Sequence, residues 1–270
     1  MDSLIKLGIS AQKYAPAYLS RVFTRKVCSS YGKSKDFTTK YNFAKKYKIN
    51  HRITRKCSKI KDLKQCIPKF KTLDDIFSRK ILPQYTRPVS TSPNAIVSPA
   101  ECMGRIESAT DTFLIKEAHY TLSTLLDIPK YKVPKKSTVY IFRLAPEHYH
   151  RIHSPVSSKI TSIRTTGGEY KSVNPILLDD IPVLQTNHRK ILTLENGMYF
   201  IAIGATCVGT IELSIKSGSK IEHGQDLGAF KFGGSCLVLV VPQKISKTYI
   251  RLTDNESFLR PGQHISDVEL

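Results

Sequence analysis

Phe232-Gly233-Gly234-Ser235-Cys236-Leu237-Val238-Leu239-Val240-Val241 is the stretch on which the fold of this 270-residue chain turns. Leu237 to Val241 is a short, unbroken apolar run rich in β-branched residues and reads as a buried strand. A Gly-Gly-Ser step ahead of a strand suits a hairpin connection. Here it would stand at the mouth of a core, where a strained peptide bond can be held against catalytic groups.

The same texture recurs upstream. Thr138-Val139-Tyr140-Ile141-Phe142-Arg143-Leu144, Met198 to Ile203 and Ala205 to Ile215 read as strands, with Gly-containing turns such as Lys216-Ser217-Gly218-Ser219 between runs. The expected class is therefore α+β: helices first, then a mostly antiparallel barrel-like or sandwich-like sheet. Leu73 to Lys80 reads as a short helix with Thr72 as N-cap and Asp74 and Asp75 in the first turn. Pro83, Pro88, Pro93 and Pro99 punctuate an extended connector. Glu117 to Asp127 reads as one helix, with Leu122, Leu125 and Leu126 on a common face.

Charge divides the chain in two. The formal net charge is +20, and residues 1–71 carry 19 Lys and Arg against Asp2, Asp36 and Asp62, a surplus of 16. A field of that sign concentrates anions. We therefore separate a basic, partly helical segment over 1–71 from a nearly neutral region over 72–270. Residues 2–30 mix apolar and basic side chains in a way that suits either a targeting sequence or an interfacial helix. Between Gly32 and Lys71 the lysines alternate with Phe37, Tyr41, Phe43 and Tyr47, with Tyr31 just before them. That pattern is open to a solvated surface, anionic headgroups or nucleic acid. No apolar run reaches the about 18 residues of a membrane span. Cys28, Cys57, Cys66, Cys102, Cys207 and Cys236 form no CxxC pair and no regular framework, so free thiols are expected.

Three features carry candidate chemistry. Glu147-His148-Tyr149-His150-Arg151-Ile152-His153-Ser154-Pro155 packs three histidines into six positions, open to catalysis, structure or metal ligation. Phe232 to Cys236 is the turn already described. Ile203-Gly204-Ala205-Thr206-Cys207-Val208-Gly209-Thr210-Ile211 has glycines that permit close backbone approach, or mark a plain β-corner.

Order and spacing over roughly residues 70 to 242 resemble the phosphatidylserine decarboxylase family. The resemblance runs through Asp75-Ile76-Phe77-Ser78-Arg79-Lys80-Ile81, Arg87-Pro88, Ser98-Pro99-Ala100 and Ile115-Lys116 to Leu126. It continues through Tyr149 to Pro155, Val173-Asn174-Pro175, Asn187-His188-Arg189, Gly204 to Ile211 and Gly224 to Ser235. Where the family has Asp-Gly this chain has Glu101-Cys102. His148 stands at a family Asp, and His188 at a family Glu.

The resemblance implies a proenzyme that cleaves itself at Gly234–Ser235 into a β chain (1–234) and an α chain (235–270). Ser235 would attack the Gly234 carbonyl with His153 as base, oriented by Glu101, in a serine–histidine–acid arrangement. Ser235 would become a covalent pyruvoyl group that forms a Schiff base with the substrate amine, with His150 acting in decarboxylation. The implied reaction converts phosphatidylserine to phosphatidylethanolamine and carbon dioxide. The implied setting is peripheral association with an anionic phospholipid membrane in an unspecified compartment, with no nucleic acid, no metal and homodimer formation left open. Two alternatives stand beside it: pyruvoyl-dependent decarboxylation of a free amino acid, and an inactive family member that binds anionic lipid.

Overall fold

Ser235–Val241 is a strand in which all seven residues are buried. It pairs antiparallel on both edges, with Ser137–Leu144 on one side and Tyr199–Gly204 on the other. A computed structural model of the chain describes residues 11–86, 90, 92–207, 210–233, 235–253 and 255–269. The part of the expected amphipathic stretch before residue 11, the Arg87-Pro88 step and Gly234 lie outside the described residues.

The central sheet has eight strands: β1 (Cys102–Ala109), β2 (Ser137–Leu144), β3 (Ser158–Thr166), β4 (Arg189–Leu194), β5 (Tyr199–Gly204), β6 (Lys220–Ile221), β7 (Ser235–Val241) and β8 (Ser257–Leu259). Its order is β6-β3-β4-β5-β7-β2-β1-β8, antiparallel at every step, and it curls into a half-barrel. Period-2 alternation along β7 sends side chains into two separate cores. Leu237, Leu239 and Val241 join a cluster with Phe77, Phe142, Phe200 and Phe230. Cys236, Val238 and Val240 join a second with Phe113, Tyr120 and Leu125. Burying each leucine contributes about 1.5–3 kcal/mol relative to exposure. The α+β class with a mostly antiparallel sheet is borne out.

Two smaller antiparallel sheets flank it. Asp226–Phe230 lies between Arg151–His153 and Ile211–Leu213. Its register shifts between Asp226 and Gly228, where φ is +148° and a Cβ would lie 1.9 Å from the Glu212 carbonyl oxygen, so only glycine fits. His264–Val268 lies between Ala95–Val97 and Ile245–Thr248. This late strand thereby anchors the end of the proline-rich connector.

The basic N-terminal segment is helical and shares the first core. Ala17–Val22, a π-helical turn over Phe23–Cys28 and Ser29–Gly32 follow one another, and then Phe37–Lys46 forms an α-helix. Asp36 caps the latter by accepting from the Thr39 N–H at 2.6 Å. Phe43, Ala44, Ile49, Ile67 and Phe70 pack in the same cluster as Leu237 and Leu239. The helix after them, Leu73–Phe77, has the expected Thr72 N-cap, whose Oγ1 accepts from the Asp75 N–H, and Asp75 completes a capping box by accepting from the Thr72 N–H.

Three expectations need correction. The cysteines are not all free: Cys28 is bonded to Cys207 and Cys57 to Cys66. The fold brings Cys28 and Cys207, 179 residues apart, to a Cα separation of 4.9 Å, within bridging range; spacing along the chain carries no sign of that. Cys102 and Cys236 remain free and buried. Glu117 to Asp127 is not one helix. Ala118–Thr121 pairs with Thr112–Ile115 as a hairpin, and only Leu122–Leu126 is helical. The hairpin prevails because buried Tyr120 donates its hydroxyl to the carbonyls of Leu178 and Ile181, a long-range bond that no local pattern encodes. Ala205 to Ile215 is not one strand either. Cys207 adopts φ +68°, and among the described residues of that stretch only Ile211–Leu213 is extended into a sheet.

The two-sided burial of β7 and the Thr72 cap differ in expected cost. In a Ser235→Ala background, which keeps one covalent chain, Leu239→Ala should lower unfolding stability by about 2–5 kcal/mol. Thr72→Ala should lower it by about 1 kcal/mol. Urea denaturation midpoints check both, and equal effects would contradict the assignment of β7 as the core strand.

Candidate active site

The capped helix Leu73–Phe77 places Phe77, fully buried, against the His150 ring, with centroids 3.7 Å apart and planes inclined by 27°. His150 is itself at 0% exposure. Its Nδ1 lies 2.9 Å from the His148 carbonyl oxygen, which can only accept, so Nδ1 carries the proton of the neutral ring. Nε2 is then a bare lone pair, and among the described residues it has no hydrogen-bond partner. Desolvation pushes the His150 pKa well below its usual value, outweighing the carbonyl of His148 and the Leu144 backbone, which favour the charged ring.

Ser235 opens β7 opposite Leu144 of β2 and Gly204 of β5. Alternation puts its side chain on the face of Leu237 and Leu239, the core to which Phe77 belongs. Its Oγ is buried and has no hydrogen-bond partner among the described residues. A buried hydroxyl without a partner calls for a reason, and Ser137 Oγ and the Tyr170 hydroxyl share that state. The adjacent Cys236 thiol is not a rival nucleophile, since burial raises its pKa and keeps it protonated.

Three features hold the approach to Ser235. The Phe232 N–H donates to Asp74 Oδ1 at 2.8 Å. The Phe232 ring meets Tyr31 edge-on at 5.2 Å and Phe43 at 5.5 Å. Gly233 has φ +134°, a conformation open chiefly to glycine. Gly234, the expected cleavage position, lies outside the described residues.

Beside this segment is a cleft of about 410 Å³ whose lining includes Phe43, Lys46, Tyr47, Phe77, Phe232 and Gly233. Its outer wall is tied in place by the N-terminal helices. Ser20 Oγ accepts from the Tyr170 N–H, Thr24 Oγ1 accepts from the Cys207 N–H, and the Cys28–Cys207 bridge joins the helical segment to the loop after β5.

Ser235, His150, His153 and Glu101 are not among the residues that line that cleft. His153 lines a separate one of about 270 Å³ with Tyr149, Gly224 and Asp226. Its Nδ1 donates to the Gly224 carbonyl at 2.8 Å, and its Nε2 accepts from the Tyr149 hydroxyl at 3.1 Å. Burial lowers its pKa. Glu101 accepts from the Tyr149 backbone N–H at 3.0 Å. His153 thus takes its orientation from Gly224 and Tyr149, and Glu101 reaches it only through the Tyr149 residue. The structure stacks His150 on Phe77, puts the Ser235 side chain on the face of the core to which Phe77 belongs, and places His153 and Glu101 around Tyr149. Among the described residues no group of three His, Cys, Asp or Glu is disposed to hold a metal ion.

Several lining residues escaped the reading of the sequence. Phe43 and Tyr47 stand at helical i,i+4 spacing, but the lysines around them leave a solvated surface, anionic headgroups and nucleic acid equally open. Asp74 was legible as a first-turn acid, and the structure gives it the Phe232 amide instead. Burial raises its pKa despite that bond.

Comparison with known proteins converges on the same segment. A sequence model described as Phosphatidylserine decarboxylase matches residues 73–266, more than half of the chain. Phosphatidylserine decarboxylase proenzyme 2 of Komagataella phaffii is 34% identical over 200 residues, covering 68% of this chain and 20% of that protein. The proenzyme of Clostridium perfringens is 33% identical over 184 residues, covering 64% and 62%. That of Ruminiclostridium cellulolyticum is 35% identical over 217 residues, covering 76% and 68%. The chain thus spans 20% of the Komagataella relative and 62% and 68% of the two bacterial ones. With a match over residues 73–266 that includes both the histidine cluster and the Ser235 strand, the chain belongs to the phosphatidylserine decarboxylase family.

Proposed function

We propose that this chain is a self-processing decarboxylase that converts phosphatidylserine to phosphatidylethanolamine at an anionic membrane surface, using a pyruvoyl group made from Ser235. The observation that carries the reading is the buried, unpartnered Ser235 Oγ at the start of β7. It is the orphaned atom that a backbone-attacking serine would present, and it fits a site that converts its own serine.

Maturation begins when Ser235 Oγ attacks the Gly234 carbonyl carbon, its proton passing to a histidine; the new C–O bond replaces the Gly234–Ser235 C–N bond. Loss of the Ser235 Cα proton and rupture of its Cβ–O bond releases the Gly234 carboxylate. Water then replaces the Ser235 nitrogen, which leaves as ammonia. The resulting ketone supplies an electron sink for decarboxylating an amine-bearing substrate.

We assign the two histidines separate roles. His153 is the base for self-cleavage, its unprotonated Nε2 held by the Tyr149 hydroxyl, with Glu101 fixing the Tyr149 backbone. His150 orients the substrate carboxylate and returns a proton to the product carbon. Its support is a bare Nε2 on a ring stacked against Phe77, in the core that the Ser235 side chain faces. Membrane association is assigned to the N-terminal helices, where Tyr14, Tyr18, Leu19 and Phe23 are exposed among Lys13, Arg21 and Lys26. No helix among the described residues is long and apolar enough to cross a membrane.

Three measurements check this account. Incubated with phosphatidylserine vesicles, the chain should form phosphatidylethanolamine and Ser235→Ala should form none; product from free serine but not from lipid would favour the amino-acid reading. His153→Ala should block chain cleavage on a denaturing gel, while His150→Ala should cleave yet lose at least about a hundredfold in turnover. Cleavage lost in the second and kept in the first would reverse the roles. Vesicle binding should weaken steeply between low and high salt, as screening of a basic face requires.

Acid stability follows from the histidines. His148, His150 and His153 all have pKa values lowered by burial, so the folded state resists the proton that the unfolded chain accepts near 6.5. The unfolded state then binds more protons below that pH, and stability falls on acidification from about 6.5 toward the depressed folded values. In the Ser235→Ala chain His150→Gln should flatten that fall in urea titrations; an unchanged slope would show that His150 is not desolvated.

A further inference from the structure

We propose that Lys46 and the cleft wall beside it form the subsite for the phosphodiester of the substrate. The basic N-terminal segment would then recognise substrate as well as the membrane. This rests on the decarboxylase reading and extends it to residues before position 73, where the family match begins.

The cleft beside Gly233 has two cationic side chains in its lining, Lys46 and Arg143. Arg143 is committed: its Nε donates to Glu256 Oε1 at 2.7 Å and its Nη2 to Glu256 Oε2 at 2.5 Å. Lys46 has no carboxylate partner among the described residues, and its Nζ rests 5.2 Å from the Tyr47 ring centroid. The same lysine also lines an adjoining cleft of about 360 Å³ with Lys48, Arg79, Glu101 and Glu147, so it stands where the two meet.

Its position is fixed by the helix that carries it. Lys46 is the last residue of Phe37–Lys46, one turn beyond Phe43. Phe43 is buried against Phe77 and Phe232, with centroids 6.5 and 5.5 Å away. Lys40, buried on the same helix, donates to the Phe70 carbonyl at 2.8 Å. The backbone at Lys46 is therefore anchored to the segment that leads into Ser235, which a freely placed surface lysine would not be.

Substrate chemistry matches this arrangement. In a serine phospholipid the amino carbon is joined to the phosphodiester by a short CH₂–O link. A substrate whose amine is at Ser235 must leave its phosphate close by, and that charge must be met in a partly apolar cleft. Phe43, Phe77, Val173 and Phe232 offer apolar surface for the glycerol and first acyl carbons, while Lys46 offers the cation. An ammonium against a phosphodiester oxygen is a charge-assisted bond, worth roughly tenfold or more in affinity.

The test uses water-soluble dihexanoyl phosphatidylserine, which removes vesicle binding from the measurement. With the self-cleaved chain, Lys46→Met should raise KM about tenfold or more with a much smaller fall in kcat, and Lys46→Arg should restore most of the loss. Lys45→Met, an exposed neighbour outside the lining, should behave as the unaltered chain does. A parallel titration of the same lipid into the uncleaved Ser235→Ala chain, with and without Lys46→Met, reads binding without chemistry. An unchanged KM and an unchanged affinity in the Lys46→Met variants would overturn the subsite while leaving the decarboxylase reading intact. If the unaltered chain forms no product, that reading fails, and the binding titration still decides the subsite.

Discussion

The dual burial of β7 constrains everything around it. Ser235–Val241 is paired on both edges and packed on both faces, so its backbone position is set at once by β2, β5 and the two apolar cores. The first residue of such a strand inherits that rigidity. Ser235 is consequently a polar side chain fixed in a dry place, where its hydroxyl is costly to leave unpaired. The surrounding architecture serves the segment that leads into it: Asp74 holds the Phe232 amide, Tyr31 and Phe43 hold the Phe232 ring, and the capped helix sets Phe77 against His150.

Desolvation is the dominant electrostatic effect at the site. His148, His150 and His153 all favour the neutral form because each is buried, in a chain whose net charge of +20 would in any case disfavour further positive charge. Neutral imidazoles with Nδ1 tied to backbone carbonyls leave Nε2 without a proton: that of His150 has no partner among the described residues, and that of His153 accepts from the Tyr149 hydroxyl. Burial also silences the two free thiols: Cys102 is pushed up to about 12, and Cys236 higher still. Ser235, which opens the strand, therefore stands next to a thiol held in its protonated form.

How much of this was legible depended on how local the cause was. The apolar run from Leu237 to Val241 announced its strand because burial on both faces leaves no polar position. The Thr72 cap was readable because its partners are three residues apart. The histidine cluster was visible as a cluster, yet its division between the cleft of His153 and the core around His150 depends on the pairing of Arg151–His153 with Asp226–Phe230. The Tyr120 hairpin, the Cys28–Cys207 bridge and the entry of Phe43, Lys46 and Tyr47 into the cleft all depend on contacts made across long stretches of chain. Composition set the basic segment apart by its charge, and it could not show that Phe43, Ile49, Ile67 and Phe70 pack in the same core as Leu237 and Leu239. Glu101, expected to orient His153, accepts from the Tyr149 amide, a contact set by the folding of distant segments onto one another.

The central claim is that Ser235 severs the bond before it and keeps a ketone in place of its amine. Intact mass of the purified chain under denaturing conditions, beside the Ser235→Ala variant, tests that directly. The account predicts two fragments that meet at Gly234–Ser235, the smaller one lacking a free amino terminus, and a single full-length species for the variant. One uncleaved chain differing from the variant only by the mass of the substituted side chain would contradict it.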